Sequence, residues 1–322
     1  MAIDNQQASL DDLRKIEKAV GIVSRRHAPL QSSEDEGDTH GRAGHNEDTD
    51  HLFDNSTVES LLKENEECRI YFRTCNGLQT YVDRVVTLID SQTEAKPEFV
   101  PAGGLLPLKK EKKTTNEVKQ RMSELSHILK CLSCAALNDH NLSLLSSMNL
   151  ISLLLRLLCA GDKASAALDS VIDLLNLFSI VADSRKVLAL NLKHSSAALE
   201  RLLSLIGNSD NVILQCVALS TLNNVAMETS IRQLIAAQAQ SIADTILEGL
   251  RSTHLLVQER TASLMANLCC DKGFRSNFIA GKSCNASLTA CLQQTSAGSE
   301  LATSVLAALS ILLLDEKCAS DE

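Results

Sequence analysis

The sequence predicts an all-α fold, an α-solenoid of stacked helical repeats, and three observations carry that expectation. The 322-residue chain is 44% hydrophobic but only 2% aromatic, and it has no Trp. Its apolar content is Leu, Ala, Ile and Val, which suits helices packed on helices. All four prolines (Pro29, Pro97, Pro101, Pro107) lie in the first third, so nothing from Leu108 to Glu322 must break a helix. The third observation is a recurrence. "TLNNVAMETSIRQLI" (Thr221–Ile235) and "MANLCCDKGFRSNFI" (Met265–Ile279) share a hydrophobe, six intervening residues, an Arg, and a further hydrophobe three positions on.

Taken in chain order, the first element lies within residues 1–26. In "QQASLDDLRKIEKAVGIV" (6–23), Leu10, Leu13, Ile16 and Val20 form one stripe, with Ser9 and Asp12 as a capping pair. That is the pattern of an amphipathic helix. Residues 27–54 are acidic and nearly free of hydrophobes. Such a segment buries too little apolar surface to offset the entropy of ordering it, so it reads as a disordered linker.

Residues 55–318 carry the repeats. The hydrophobe-x6-Arg skeleton aligns Leu62 with Arg69, Phe178 with Arg185, Val225 with Arg232 and Leu268 with Arg275. A weaker copy, Cys134 to Asn141, has Asn in place of Arg. Three positions beyond each polar residue stand Phe72, Leu144, Leu188, Ile235 and Phe278. After each comes a Leu-rich run: "YVDRVVTLI", "LISLLLRLL", "LERLLSLI", "IADTILEGL" and "LTACLQQ". From Asn141 onward the anchors are 43 to 47 residues apart, within the range of helical solenoid repeats. The first gap is longer, 72 residues, because Pro97, Pro101, Gly103, Gly104 and Pro107 interrupt it. An inserted loop is expected at about 91–114, closed by the capping box Thr114-x-x-Glu117, and residues 319–322 read as a polar tail. One repeat cannot bury its apolar face alone, so the hydrophobes recur because each faces the same inter-repeat seam.

This skeleton resembles the armadillo repeat, and the resemblance implies a right-handed α-solenoid. "TLNNVAMETSIRQLI" is similar to the family's third-helix pattern, Leu-x-Asn-Leu-Ala followed by Asn-Arg-x-x-Ile, and "MANLCCDKGFRSNFI" matches it too. Gly281 stands where the family has a glycine before the next helix. The resemblance covers about 58–318, as five repeats with a half-repeat (Glu300–Cys318) at the end, and the proline that opens the next helix in many armadillo repeats is absent throughout. It implies that third helices line a concave groove, where Asn side chains hold an extended peptide by its backbone amides. That role falls on Asn224 and Asn267; the equivalent positions elsewhere are Leu61, Ser133 and Leu177. An Asn amide offers both donor and acceptor, so it can bracket a peptide group. The same amides can instead serve local helix contacts, and the sequence leaves both readings open. One turn earlier on that face lie Asp173, Ser220 and Ser263, with Arg260 two turns before Asn267.

Other motifs give weaker readings. The recurring Arg residues open a helix after a turn, where contact with the preceding loop carbonyls is expected. Cys131-x-x-Cys134 and Cys269-Cys270 lie in helical apolar patterns without a second pair at finger spacing, so they read as buried helical thiols rather than zinc ligands. His40, His45 and His51 belong to the solvated acidic segment. "AGKSC" lacks the first Gly of a phosphate-binding loop, Ser276 standing there. Lys109, Lys110, Lys112 and Lys113 form a basic cluster on the insertion, with nuclear access as one reading. Ser32 and Ser33 precede Glu34-Asp35-Glu36, a context for acidic-directed phosphorylation.

Bulk properties narrow the function. The formal charge is −9, and residues 1–60 hold thirteen Asp/Glu against six Lys/Arg, so the remainder carries only about −2. No face is basic enough to track a phosphate backbone, which argues against nucleic acid. The longest apolar run, "LISLLLRLLCA", is too short for a membrane span and is broken by Arg156. The N-terminus has no apolar signal region, and eleven cysteines read as reduced thiols of a cytoplasmic protein. No nucleophile elbow, zinc-protease helix or paired-carboxylate cleft is present, and no cofactor or metal is expected. The expectation is a monomeric, non-enzymatic scaffold or adaptor for a protein or peptide partner, such as a chaperone or large client in chaperone-assisted assembly. The alternatives are a nuclear-import-type carrier of basic peptides and, less consistent with the residues, an enzyme on a helical solenoid.

Overall fold

The computed structural model describes residues 8–27, 55–93, 108–161, 166–207, 211–279, 284–295 and 298–320. Among these there is no strand, and no single helix is long and apolar enough to cross a membrane. The chain divides into two compact units, Met1–Leu150 and Ile151–Glu322.

The first unit contains α1 (Leu10–His27), α2 (Asn55–Glu64), α3 (Glu66–Thr74), α4 (Gly77–Thr93), α5 (Leu108–Ala135) and α6 (Asp139–Ser147). Asn side chains start two of these. Asn65 accepts from the amides of Glu67 and Cys68 at 2.8 and 3.3 Å, and Asn138 accepts from Asn141 at 3.0 Å. Each satisfies amides that the first turn of a helix leaves unpaired. Asn76 and Asn149, at the turns after α3 and α6, have φ of 63° and 61°. Both occupy the left-handed region that favours glycine, which Asn tolerates better than other side chains. Helix α1 packs on α2, α3 and α4, α2 on α5, and α4 on α5. Phe72 and Tyr81 meet edge to face, with ring centroids 5.0 Å apart, and both are fully buried. Cys68 is buried beside them in α3, and burial pushes its thiol up to about 11, so it behaves as a small hydrophobe.

Helix α7 (Leu150–Cys159) follows, with Leu153, Leu154, Leu157 and Leu158 buried. The second unit is three rows of helices. Third helices of successive repeats, α8 (Leu168–Ile180), α11 (Val212–Val225), α14 (Leu255–Leu268) and α17 (Glu300–Ser320), pack side by side. Second helices α10 (Ser196–Gly207), α13 (Ala239–Leu250) and α16 (Cys284–Gln294) do the same, as do first helices α9 (Ala182–His194), α12 (Thr229–Ala236) and α15 (Lys272–Ile279). The anchors Phe178, Val225 and Leu268 are fully buried, as are Leu188 and Ile235. Cys134 and Leu144, from the weaker copy of the pattern, are only partly buried.

The recurring polar residue closes each junction. Arg69 donates to the carbonyls of Leu62 (Nε, 2.6 Å) and Lys63 (2.7 Å). Arg232 donates to Ala226 and Met227, both at 2.8 Å, Arg275 to Cys269 at 2.6 Å, and Arg185 to Ile180 at 3.4 Å. Where Asn141 replaces Arg, its Nδ2 takes the same role, donating to Ala135 at 3.0 Å and also to Arg69 at 3.1 Å, while Arg73 donates to its oxygen at 2.9 Å. The bonds to Leu62, Lys63, Ala135, Ile180, Ala226, Met227 and Cys269 satisfy carbonyls at or just past the end of a helix, which the helix leaves unpaired.

Several boundaries differ from the sequence reading. Helix α1 is no separate element, because Ile16, Ala19 and Val20 are buried within the first unit. The half-repeat therefore sits at the start, as α1 and α2, while α15, α16 and α17 make a full set at the end. The inserted loop does not reach 114. Helix α4 runs to Thr93 and α5 begins at Leu108, so Lys109, Lys110, Lys112 and Lys113 lie on a helix and Thr114-x-x-Glu117 falls in its interior. Lys and Glu have high helix propensity, which a reading based on apolar periodicity overlooks. Helix α17 also runs to Ser320, into the expected polar tail. Residues 28–54, with Ser32 and Ser33, and residues 94–107 lie outside the described residues.

Two measurements check these contacts. Arg232→Ala should lower unfolding free energy in urea by about 1.5–3 kcal/mol, and Arg232→Lys should recover only part of it, since an ammonium lacks the planar fork. A Cβ on Gly249 would meet Thr261 Oγ1 at 2.5 Å and Cγ2 at 2.9 Å. Gly249→Ala should therefore couple to Thr261→Ala by about 1–3 kcal/mol in a double-mutant cycle, the double variant recovering what the crowded single variant loses.

Candidate functional site

Three neighbouring third helices of the second unit bring the sequence-predicted residues onto one face. At 3.6 residues per turn, positions i, i+4, i+7 and i+11 share a side of a helix. On α11 these are Ile213, Val217, Ser220 and Asn224; on α14 they are Leu256, Arg260, Ser263 and Asn267. This side is turned away from the buried residues Leu214, Ala218 and Leu222 of α11 and Val257, Thr261 and Leu268 of α14. On α8 the equivalent side carries Asp173 and Leu177. Since α8 packs on α11 and α11 on α14, the three stripes adjoin.

The two Asn residues are already engaged. Asn224 Nδ2 donates to Ser179 Oγ on α8 at 2.9 Å, and Ser179 Oγ donates in turn to the Asn176 carbonyl at 2.6 Å. Asn267 Nδ2 donates to Asn223 Oδ1 at 2.8 Å and to the Asn223 carbonyl at 3.2 Å. Each amide thus ties its helix to the preceding third helix, and both side chains are half-buried. The sequence reading allowed these amides local helix contacts; the hydrogen bonds instead run between neighbouring third helices. The seam partners Ser179, Asn176 and Asn223 were missed by the sequence reading. The one available signal was the doublet Asn223-Asn224, whose first member stands at the same repeat position as Asn176.

The other residues on this face are freer. Ser220 Oγ donates to the Cys216 carbonyl at 2.9 Å, leaving its oxygen to accept. Ser263 and Arg260 are half-buried. Arg260 lies near enough to Cys216 for its charge to oppose the rise in thiol pKa that burial causes. Asp173 is exposed, yet the protein around it, and then the charge of Asp169 one turn back, raise its carboxyl pKa. A carboxylate open to water but crowded by protein carries charge at a cost. Of the cysteines expected as buried helical thiols, Cys131 is buried and Cys134 half-buried on α5, whereas Cys269 and Cys270 lie in the turn that follows α14, the first buried and the second exposed, because the helix ends at Leu268.

With this geometry in view, known structures give the architecture a name. Computationally designed armadillo repeat proteins for modular peptide recognition are similar at 13% identity and a TM-score of 0.61, covering 92% of this chain and 99% of that chain. The fold is the armadillo-type α-solenoid. A second designed armadillo repeat protein is similar at 14% identity and a TM-score of 0.60, over 91% of this chain and 99% of its own. A third, solved in complex with the peptide (KR)4, is 14% identical with a TM-score of 0.57, over 83% and 95% of the two chains. No protein-family model and no curated protein matches the sequence. In armadillo terms, α8, α11, α14 and α17 are third helices, the row to which the sequence resemblance assigned recognition.

The raised Asp173 pKa has a sign that can be measured. The folded state holds this proton more tightly than the unfolded chain, so the ionised form costs stability above the folded pKa. That cost disappears once the pH falls below the ordinary carboxylate value of 3.8. Asp173→Asn should therefore stabilise the protein at pH 7 by about 0.2–0.5 kcal/mol, the size of a like-charge pair one turn apart on a helix. The gain should shrink steadily in urea titrations toward pH 3.

Proposed function

We propose that the protein is a non-enzymatic scaffold that holds an extended segment of a partner protein along the third-helix face formed by α8, α11 and α14. The observation that carries this reading is the row Asp173, Ser220 and Ser263 at equivalent positions on three adjoining helices. Short polar side chains there let a backbone approach closely, and hydroxyl oxygens accept from its amides. The fold supports the same use, since designed proteins with this architecture serve modular peptide recognition and one was solved with (KR)4. Asn224 and Asn267 contribute by fixing the spacing between helices, and their carbonyl oxygens remain available as acceptors. Such a module suits an adaptor in chaperone-assisted assembly in the cytoplasm, acting as a monomer on a client or chaperone. A carrier of basic peptides is the second reading, favoured by the exposed carboxylate of Asp173.

The test blocks the row without touching the seam. Partners captured by proximity labelling of the tagged full chain should fall at least tenfold for Ser220→Tyr/Ser263→Tyr. Lys186→Tyr, on the exposed side of α9, should leave them unchanged. Capture that survives the double substitution undiminished overturns the reading.

A further inference from the structure

The third-helix face carries more than its polar row. At its N-terminal edge, Ile213 and Leu256 stand at equivalent positions on adjoining helices with 76% and 49% of their surface exposed, and Leu255 beside them is 59% exposed. At its C-terminal edge, Ile180 and Met227, again equivalent, are 58% and 55% exposed. Large aliphatic side chains so open at matched positions of neighbouring helices make two apolar rows flanking the polar one. Successive side chains of an extended chain point to opposite sides. A segment lying along Ser220 and Ser263 therefore sends alternate side chains to the Ile213/Leu256 row and to the Ile180/Met227 row.

The charges on this face are ordered along the row. Arg260 on α14 is the one cation among the described residues of α8, α11 and α14. Asp169 and Asp173 on α8 are anions one turn apart, a like-charge arrangement that destabilises a helix unless a cation relieves it. None of the three has a salt-bridge partner among the described residues. Between them α11 contributes no charge, only Val217 and Ser220.

Resting on the reading above, we infer that the occupant is an extended segment of another protein with a basic residue over Asp173, an acidic residue over Arg260 and aliphatic residues between. Neighbouring packed helices lie about 8–10 Å apart, so α8 and α14 are separated by about 16–20 Å. At about 3.3 Å per residue, the basic and acidic side chains of the segment stand about five or six residues apart. Each charge meets its opposite, the Asp169–Asp173 repulsion is relieved, and the aliphatic side chains cover the two open rows. A uniformly basic peptide meets Asp173 but places a cation against Arg260, and the ordered charges select against it.

Fluorescence anisotropy on the full chain tests this with synthetic peptides. Each carries one Lys and one Asp, two to nine residues apart and in both chain orders, with either Val/Ile or Ser between. Affinity should peak at a separation of five or six in at least one order, and only with the aliphatic spacer. Arg260→Glu should weaken the best peptide at least tenfold and favour its variant with Lys in place of Asp. Ile213→Ser/Leu256→Ser should weaken aliphatic peptides tenfold and leave the Ser-spaced ones unchanged. Absence of binding, affinity indifferent to separation, or no response to Arg260→Glu overturns the inference. If the peptides bind without charge order and Ser220→Tyr/Ser263→Tyr still abolishes binding, the inference fails while the groove reading stands.

Discussion

Every repeat junction faces one constraint. A third helix ends in carbonyls with no partner inside the helix, and the chain must turn there into the next first helix. A guanidinium resolves it, because its rigid fork of donors reaches two carbonyls at once and its charge suits the negative end of the helix. Arg69 and Arg232 each reach two carbonyls, Arg275 reaches that of Cys269, and Arg185 reaches that of Ile180 and also reaches forward to Glu228, which starts the next turn, at 3.1 Å. Where Asn141 stands instead, one amide cannot supply the same fork, and Arg73, Asn138 and Glu66 join it in a wider polar network. The turn so fixed swings each following helix onto the row of its predecessors, and the seam hydrophobes meet as a consequence.

That division of labour explains what the recurring residues do and what they leave to others. The pattern that repeats, hydrophobe, Asn, Arg, is consumed by packing and by hydrogen bonds between helices. Asn267 reaches back to Asn223 and Asn224 to Ser179, so the amides hold the register of the face before they meet anything outside it. The positions that vary from copy to copy carry the chemistry on which the proposed recognition rests. Asp173, Ser220 and Ser263 share a repeat position and differ in charge; Val217 and Arg260 share another. A solenoid can vary these at little cost to stability, because each points away from the buried side of its helix.

The repeats were legible in the sequence where the pattern was dense. Val225, Leu268, Arg232 and Arg275 occupy the places their spacing indicated, and the copy read as weaker is the one whose anchors, Cys134 and Leu144, are only half-buried. Legibility failed where periodicity is silent. The stretch "LKKEKK" has no apolar stripe and reads as loop, yet Lys and Glu extend α5 to Leu108. Helix α1 was visible as a helix, but nothing in its sequence tells which neighbour covers Ile16 and Val20. The candidate face was legible in part: Ser220, Ser263, Arg260 and Asp173 do share a side with Asn224 and Asn267, while nothing in the sequence singled out Ile213, Leu256, Ile180 and Met227, whose exposure depends on what packs beside them.

By itself the sequence determined the class of the fold, the repeat length and the residues that close each junction, because these follow from local spacing along one chain. Tertiary structure alone decided which hydrophobes are covered, which amides are spent between helices, and how charges separated by some ninety residues line up across a face. Burial and pairing depend on what stacks beside each helix. Two Leu residues with the same local pattern end as core or as open surface according to the neighbour they meet.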